Sequence, residues 1–203
     1  MAKNILYLTN NSNTAGLFEW LKERYPTELC QDALRLPQLE QLKPDIIISY
    51  NYKYIIGQEL ISYMDGRIIN LHISLLPWNR GANPNFWSFV DDTPKGVTIH
   101  QINAELDKGK ILCQKECFFD AEKETFLSTY DKLNETIVAL FKENCQDIMG
   151  GRIVPREQPS GGSYHSVKDF QEVKSQLDFA WSDNIALVQS KYKTFKEAQM
   201  KRE

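Results

Sequence analysis

Short, largely apolar runs alternate along the first half of the chain with segments whose apolar residues recur at helical spacing. All-apolar runs of this length are typical of strands covered on both faces. They lie at residues 5–8, 45–50 and 67–72. The segments 17–24 and 58–64 are predicted to be helices, while the proline-interrupted stretch 26–43 predicts no more than a short strand and a short helix.

The second half of the chain also contains both predicted strands and predicted helices. Residues 95–102 and 110–118 are predicted to be extended, and Asn83-Pro84 has the form of an N-cap followed by proline at the first helical position, leading into 85–90. Apolar residues over 126–148 trace a long amphipathic helix that ends at Gly150-Gly151. Strands that alternate with helices predict an α/β fold with a doubly wound, mainly parallel sheet.

The character of the chain changes after Val154. We expect residues 1–154 to form one catalytic domain and residues 155–203 a short C-terminal extension. Within the extension, 155–162 is linker-like and 184–202 has apolar residues at helical spacing.

Composition narrows the class of protein. The net charge of −3 over 203 residues gives no electrostatic footprint for nucleic acid or an anionic membrane. No signal peptide precedes the first strand and no apolar run reaches membrane-spanning length, so we expect a cytoplasmic protein. The four cysteines lack metal-ligand spacing, which indicates buried free thiols and no metal site.

The residues with the clearest chemistry lie between Asn70 and Gly109. Asn70 offers an amide donor, His72 a base that titrates near pH ~6.5, and Asp107 a carboxylate that can orient that base. Residues two apart in a strand share a face, so Asn70 and His72 project together. In open α/β sheets ligands bind at such carboxyl ends of strands.

The wider pattern around these residues resembles the folate-dependent formyltransferases. It comprises Asn70-Leu71-His72, Ser74-Leu75-Leu76-Pro77, Arg80-Gly81, Val97-Thr98-Ile99-His100 and Leu106-Asp107-Lys108-Gly109, and the likeness covers roughly seventy residues from Pro44 to Glu116. It implies a Rossmann-like formyltransferase fold with a cis peptide before Pro77. It also implies 10-formyltetrahydrofolate as co-substrate, with Asn70, His72 and Asp107 as the catalytic residues.

The resemblance further implies where the co-substrate lies. The family's pterin pocket corresponds here to the segments after the strand at 45–50 and before Asp107. The residues expected to line it are Tyr54, Ile55, Ile56, Ile102, Ala104, Glu105, Leu106 and Asp107.

The molecule that accepts the formyl group is predicted by elimination. The Gly-rich phosphate loop of glycinamide ribonucleotide formyltransferases is absent at 9–16, and 156–203 carries eight Lys/Arg against seven Asp/Glu, which argues against tRNA. The run 162–169 resembles the tail of sugar N-formyltransferases. We therefore expect a nucleotide-linked 4-amino deoxysugar, which contacts the following residues: Trp78, Arg80, Asn83, Tyr164 and His165.

Other interpretations stay open at this point. They are a glycinamide-ribonucleotide-type formyltransferase, a 10-formyltetrahydrofolate hydrolase that uses the same residues, and a non-catalytic folate- or sugar-binding module. His100 is interpreted as a packing residue close to the site, and Asp107-Lys108-Gly109 also fits an ordinary turn. The nucleotide, the sugar and the oligomeric state, a homodimer among the options, are not determined by the sequence.

Overall fold

The structure is a computed structural model that describes residues 3–201. Its strands are β1 (Ile5–Leu8), β2 (Thr27–Cys30), β3 (Ile46–Tyr50), β4 (Ile68–His72), β5 (Arg80–Gly81), β6 (Gly96–Gln101), β7 (Ile111–Glu116) and β8 (Tyr164–His165). Its α-helices are α1 (Ala15–Lys22), α2 (Leu36–Leu42), α3 (Gln58–Met64), α4 (Pro84–Val90), α5 (Phe126–Met149), α6 (Val167–Gln176) and α7 (Ile185–Met200).

Six strands form one sheet in the order β2-β1-β3-β4-β6-β7. Strand β1 pairs with β2 and β3, and β3 pairs with β4, in each case in parallel. Ile102, which follows β6, donates its amide to the carbonyl of Ile68 at the start of β4, so β6 runs antiparallel to β4. The Gln101 amide donates to the Lys110 carbonyl, so β7 runs antiparallel to β6 as well.

The strand order makes the parallel part of the sheet doubly wound. The chain moves from β1 to β2 on one side and then returns to add β3 and β4 on the other, so right-handed crossovers place α1 on the opposite face from α2 and α3. The packing agrees with this. Leu39 of α2 and Leu60 of α3 share a buried cluster with Leu6, whereas Phe18 of α1 stacks on Tyr7. The predicted fold class is confirmed.

The chain divides into two compact units that interleave along the sequence. The first unit comprises the described residues up to His72 together with Ile99–Cys113 and Val138–Gln158. The second comprises Ile73–Thr98, Gln114–Ile137 and the described residues from Pro159 onward. The two units are made of interleaved segments, whereas the sequence predicted a single boundary after residue 154. That boundary stays a prediction.

The second unit has an aromatic core. Phe86 of α4 is fully buried and lies against the rings of five other residues: Trp87, Phe126, Phe170, Phe179 and Tyr192. Edge-to-face and offset pairs of this kind add to the free energy gained from burying apolar area. The same unit contains a separate parallel pair of strands, in which Arg80 of β5 lies opposite Tyr164 of β8.

Most predicted elements occur within a residue or two of their predicted bounds, and the peptide between Leu76 and Pro77 is cis. The interpretation of Asn83 needs correction. It stands at the N-cap of α4 with Pro84 following, but its φ of 52° is left-handed and its side chain makes no capping hydrogen bond. Capping needs extended backbone at that position. In the predicted terminal segment, α7 ends at Met200, and Arg202 lies outside the described residues.

Helix α6 is absent from the sequence-based prediction. Ser166 and Asp169 form a capping box at its start, in which each side chain accepts a hydrogen bond from the other residue's amide. A Ser-x-x-Asp pattern before an apolar position indicates the start of a helix, so this helix could have been predicted from the sequence. Across residues 3–201 the helices are all too short or too polar to cross a bilayer.

Replacing Phe86 with alanine tests the aromatic core. We expect Phe86→Ala to lower the free energy of unfolding by about 3–5 kcal/mol, because a fully buried ring is removed from a packed cluster. Phe118→Ala is the matched control, since that ring is 84% exposed, and should change stability by no more than about 0.5 kcal/mol. Urea unfolding measures both values, and similar losses in the two variants would contradict this description of the core.

Candidate functional site

Four polar side chains meet in the first unit. Asn70 and His72 lie two residues apart on β4, so they project from the same face, as predicted. His100 comes from the antiparallel neighbour β6, and Asp107 from the loop that connects β6 to β7. The three residues predicted to be catalytic are therefore together, with His100 as a fourth member.

The distances within this cluster are short. Asn70 Nδ2 lies 3.3 Å from His100 Nε2. The Asp107 carboxylate lies 3.9 Å from His72 Nε2 through Oδ2 and 3.6 Å from His100 Nε2 through Oδ1. The two imidazole rings are nearly perpendicular, with their centroids 6.1 Å apart. His72 is 8% exposed and His100 1%, so the charges that develop here are shielded from water.

Hydrogen bonding defines the tautomer of His100. Its Nδ1 lies 2.8 Å from the carbonyl oxygen of Gln101, which can only accept, so Nδ1 carries the proton. In the neutral ring Nε2 is then the acceptor for one N–H of the Asn70 amide. The amide group of Asn70 has two N–H donors, and this arrangement leaves the second one for another acceptor.

The Asp107 carboxylate faces both histidines. Both of its distances to imidazole nitrogens exceed the hydrogen-bond range, but both lie within the range over which an opposite charge favours an imidazolium. The side chain is 8% exposed, which reduces screening by water. The carboxylate of Asp107 therefore lies close to both imidazole rings and largely out of water.

The loop that carries Asp107 is held by backbone contacts. Asp107 has a φ of 53°, a left-handed conformation that Asp and Asn tolerate better than most residues. A Cβ at Gly109 would lie 1.7 Å from the carbonyl oxygen of Gln101, so only glycine allows this approach to β6. Gln158 Nε2 donates to the carbonyls of Asp107 at 2.7 Å and Gly109 at 2.9 Å. These contacts determine where the Asp107 carboxylate lies.

The cysteines offer no activated nucleophile. All four are free thiols, and burial raises the pKa of each above its ordinary value. A raised thiol pKa keeps sulfur protonated near neutral pH. The four cysteines are Cys30, Cys113, Cys117 and Cys145. Residues 3–201 contain no group of three or more His, Cys, Asp or Glu side chains able to hold a metal ion.

The residues predicted to bind folate all belong to the first unit. Ile55 is 83% exposed and Leu106 49%, which is unusual for large apolar side chains. Ile56 and Ile102 instead pack against the buried cluster between the sheet and helices α2 and α3. Tyr54 lies edge-on to Tyr52, and Ala104 and Glu105 are exposed in the loop before Asp107.

The residues predicted to bind the acceptor all belong to the second unit. Arg80 and Tyr164 are partners in the β5–β8 pair, and Trp78 and Asn83 are half-buried on either side of β5. His165 turns the other way from Tyr164. Its ring stacks on Trp87 with centroids 4.0 Å apart, and its Nε2 lies 3.2 Å from the Asp91 carboxylate.

Sequence reasoning missed the contribution of Gln158. It lies in the proline-containing stretch after residue 154, where no periodicity or motif marks it. Its importance arises from a contact with residues about fifty positions away, which a single sequence does not reveal.

Comparisons with known proteins agree on the family. Residues 2–143 match the family described as formyl transferase. The dTDP-4-amino-4,6-dideoxyglucose formyltransferase of Mycobacterium tuberculosis is 30% identical over 146 residues, 71% of this chain and 60% of that protein. The bifunctional polymyxin resistance protein ArnA of Wigglesworthia glossinidia brevipalpis is 34% identical over 119 residues, 54% of this chain and 18% of that protein.

One solved structure matches over nearly its full length. It is the formyltransferase PseJ from Anoxybacillus kamchatkensis in complex with UDP-4,6-dideoxy-4-formamido-L-AltNAc and tetrahydrofolate. The TM-score is 0.83 at 39% identity, over 91% of this chain and 97% of that one. The chain belongs to the formyl transferase family, as its motifs predicted.

Replacing Gln158 tests how the Asp107 loop is held. Gln158→Leu keeps the approximate size of the side chain but removes both donated hydrogen bonds. We expect backbone amides of residues 103–109 to exchange with solvent about tenfold faster, as measured by hydrogen-exchange mass spectrometry. Glu157→Gln is the control, because the Glu157–Lys110 ion pair is largely exposed and contributes little. Unchanged exchange in Gln158→Leu would show that other contacts hold the loop.

Proposed function

We propose that the protein transfers the formyl group of 10-formyltetrahydrofolate to the amine of an amino deoxysugar linked to a nucleoside diphosphate. The observation that carries this proposal is the convergence of Asn70, His72 and Asp107 in a member of the formyl transferase family. It is supported by the likeness to PseJ, whose structure contains tetrahydrofolate and a UDP-linked 4-formamido sugar.

The reaction needs a base and an oxyanion site. The unprotonated amine attacks the formyl carbon, the carbonyl becomes a tetrahedral oxyanion, and the bond to N10 of the folate then breaks. The attacking nitrogen loses a proton, and the departing N10 gains one. In our proposal His72 accepts the proton from the amine and can return it to N10, so that protons balance over the cycle.

Asn70 is the proposed donor to the oxyanion. Its side chain is oriented by His100, which accepts one N–H, and the second N–H is left for the substrate. A donor held in advance of the reaction stabilises the oxyanion without the cost of reorganisation.

Asp107 is proposed to stabilise the imidazolium form of His72. Its carboxylate lies 3.9 Å from Nε2 and is mostly buried, so its charge acts across a poorly screened gap. The carboxylate also helps to hold the ring in place for the incoming amine.

The folate is proposed to lie against the first unit, lined by the residues named above from Tyr54 to Ile56 and from Ile102 to Asp107. Two of these, Ile55 and Leu106, are large apolar side chains exposed to solvent. An apolar slot with a few polar groups at its edge suits a flat ring system. Covering these side chains with ligand would remove apolar surface from water.

The acceptor is proposed to contact the second unit through Trp78, Arg80, Asn83, Tyr164 and His165. The ring of Tyr164 lies close over Gly81, with one carbon 2.9 Å from the position of a Cβ there. Arg80 Nε donates to the carbonyl of Ser163 at 3.3 Å, which restrains the guanidinium. An arginine paired across two strands with an exposed tyrosine suits a diphosphate joined to a base.

Two further features belong to this proposal. We propose a cytoplasmic reaction, for which the four free thiols give support. We also propose that residues 1–154 provide the chemistry and that 155–203 adds acceptor contacts. A homodimer stays a prediction.

A substrate panel tests the proposed function. The protein is incubated with 10-formyltetrahydrofolate and UDP-, dTDP- or GDP-linked amino sugars, and products are identified by the mass gain of one formyl group. We expect formylation of a 4-amino deoxysugar with at least one nucleotide. Formate release without an amine would instead indicate a hydrolase. Efficient formylation of glycinamide ribonucleotide would indicate a glycinamide-ribonucleotide-type formyltransferase.

Conservative substitutions test the catalytic roles. His72→Asn and Asp107→Asn should each lower turnover by roughly 10²–10⁴-fold, since the first removes the base and the second the charge that stabilises its protonated form. Folding, followed by circular dichroism, and folate binding, followed by calorimetry, should stay close to those of the unaltered protein. If a variant keeps more than about a tenth of the original turnover, the residue altered in it does not have the role proposed for it.

Acceptor-side variants should have a different kinetic signature. Arg80→Ala and Tyr164→Phe should raise the KM for the nucleotide sugar more than the KM for 10-formyltetrahydrofolate, because they act on acceptor binding. Lys168→Ala is a control on a nearby exposed residue of α6 and should leave both values unchanged. Equal effects on the two substrates would argue against acceptor contacts at Arg80 and Tyr164.

A further inference from the structure

Asn79 is a polar residue that is completely sealed inside the second unit. It lies between Trp78 and Arg80, just before β5, and is 0% exposed. Burying an amide side chain is unfavourable unless its donors and its acceptor are paired. Since Asn79 does not reach the surface, it cannot touch a substrate, and any part that it plays in binding is exerted through its neighbours.

Two hydroxyl groups pair with Asn79. Its backbone amide donates to Ser163 Oγ at 2.9 Å, and the Ser163 hydroxyl donates back to Asn79 Oδ1 at 3.2 Å. Asn79 Nδ2 donates to Thr93 Oγ1 at 2.7 Å. Thr93 is itself held by α4, because its amide donates to the carbonyl of Ser88 at 3.0 Å. Asn79 thus ties Ser163 to a residue that is anchored on a helix.

The backbone allows the two segments to approach closely. Asn79 has a φ of 55°, a left-handed conformation that asparagine adopts more readily than most residues. Gly162 has a φ of 82°, and a Cβ at that position would clash with the carbonyl oxygen of Pro77. The Ser163 amide donates to the same oxygen at 3.2 Å. The segments 77–81 and 162–165 are therefore fixed against each other, although Asn79 and Ser163 are 84 positions apart in the sequence.

Ser163 in turn holds Arg80. Its carbonyl oxygen accepts one hydrogen bond from the Arg80 backbone amide at 3.0 Å and another from the guanidinium Nε at 3.3 Å. The next residue, Tyr164, is the partner of Arg80 in the β5–β8 pair and is 52% exposed. The bonds between Asn79 and Ser163 therefore lead directly to two of the residues proposed to contact the acceptor.

We propose that Asn79 is a positioning residue for the acceptor, and that through Ser163 it determines where the Arg80 guanidinium and the Tyr164 ring lie before the nucleotide sugar binds. This inference rests on the proposed function, because it concerns the same acceptor surface. Groups that are held in their binding positions in advance lose less conformational freedom when the ligand arrives, so the ligand binds more tightly.

The inference predicts a selective effect on the acceptor. The residues proposed for the chemistry and for folate binding belong to the first unit, whereas Asn79, Thr93 and Ser163 belong to the second. Loss of the bonds between Asn79 and Ser163 should therefore weaken binding of the nucleotide sugar more than it affects folate binding or turnover.

Ser163→Ala is the principal test, because it removes the hydroxyl that bonds Asn79 and keeps the carbonyl that Arg80 uses. The acceptor is whichever UDP-, dTDP- or GDP-linked amino sugar is formylated in the substrate panel. We expect its KM to rise about five- to tenfold, while turnover and the KM for 10-formyltetrahydrofolate change by less than about twofold. Ser160→Ala makes the same substitution at an exposed position three residues earlier and should leave all three values unchanged.

Two further variants separate positioning from a general structural role. Asn79→Gly removes the side chain but keeps the left-handed backbone accessible, and should raise the same KM without raising that for folate. Since removal of a fully buried side chain can prevent folding, the half-buried Ser163 is altered first. In Arg80→Ala protein, Ser163→Ala should raise the KM for the sugar less than it does in the unaltered protein, because one of the residues through which it acts is gone.

The possible failures are distinguishable. An unchanged KM for the sugar in Ser163→Ala, equal increases in both KM values, or a fall in turnover alone would overturn the inference. The proposed function would then stand, since the unaltered protein still formylates the sugar. If the unaltered protein formylates no amino sugar of the panel, the proposed function is refuted, and this inference with it.

Discussion

The carboxylate of Asp107 lies within 4 Å of the imidazole nitrogens of two histidines on adjacent strands, and the proposed chemistry depends on this position. A loop would not hold a charge there unaided. Gly109 allows the backbone to approach the Gln101 carbonyl, and Gln158 binds the carbonyls on both sides of the turn. The Asp107 carboxylate is thus positioned by backbone packing and hydrogen bonds, while β4 and β6 supply the residues that it faces.

The fold and the centre of the site were largely predictable, because both follow from local patterns. Period-2 alternation places Asn70 and His72 on one face of β4, and apolar runs separated by helical segments define the parallel part of the sheet. The approach of His100 and the support from Gln158 depend on contacts between residues distant in sequence. Asn83 shows a different failure, since a residue with strong capping preference adopts a left-handed backbone in which it cannot cap.

The core of the second unit is built from aromatic side chains. Phe86 organises its core, and the short β5–β8 pair brings Arg80 and Tyr164 side by side. Because neighbouring residues of a strand face opposite ways, Tyr164 is exposed while His165 stacks on Trp87. One strand of two residues thus presents Tyr164 to solvent and packs His165 on the aromatic core.

We propose that His72 and Asp107 act as a unit, and a double-mutant cycle tests this coupling most directly. Turnover is measured for His72→Asn, Asp107→Asn and the double variant under saturating substrates. If Asp107 works through His72, the double variant should lose no more activity than the more damaging single change, because the charge has nothing left to stabilise. Losses that multiply in the double variant would mean that the two residues act independently, and would contradict the account.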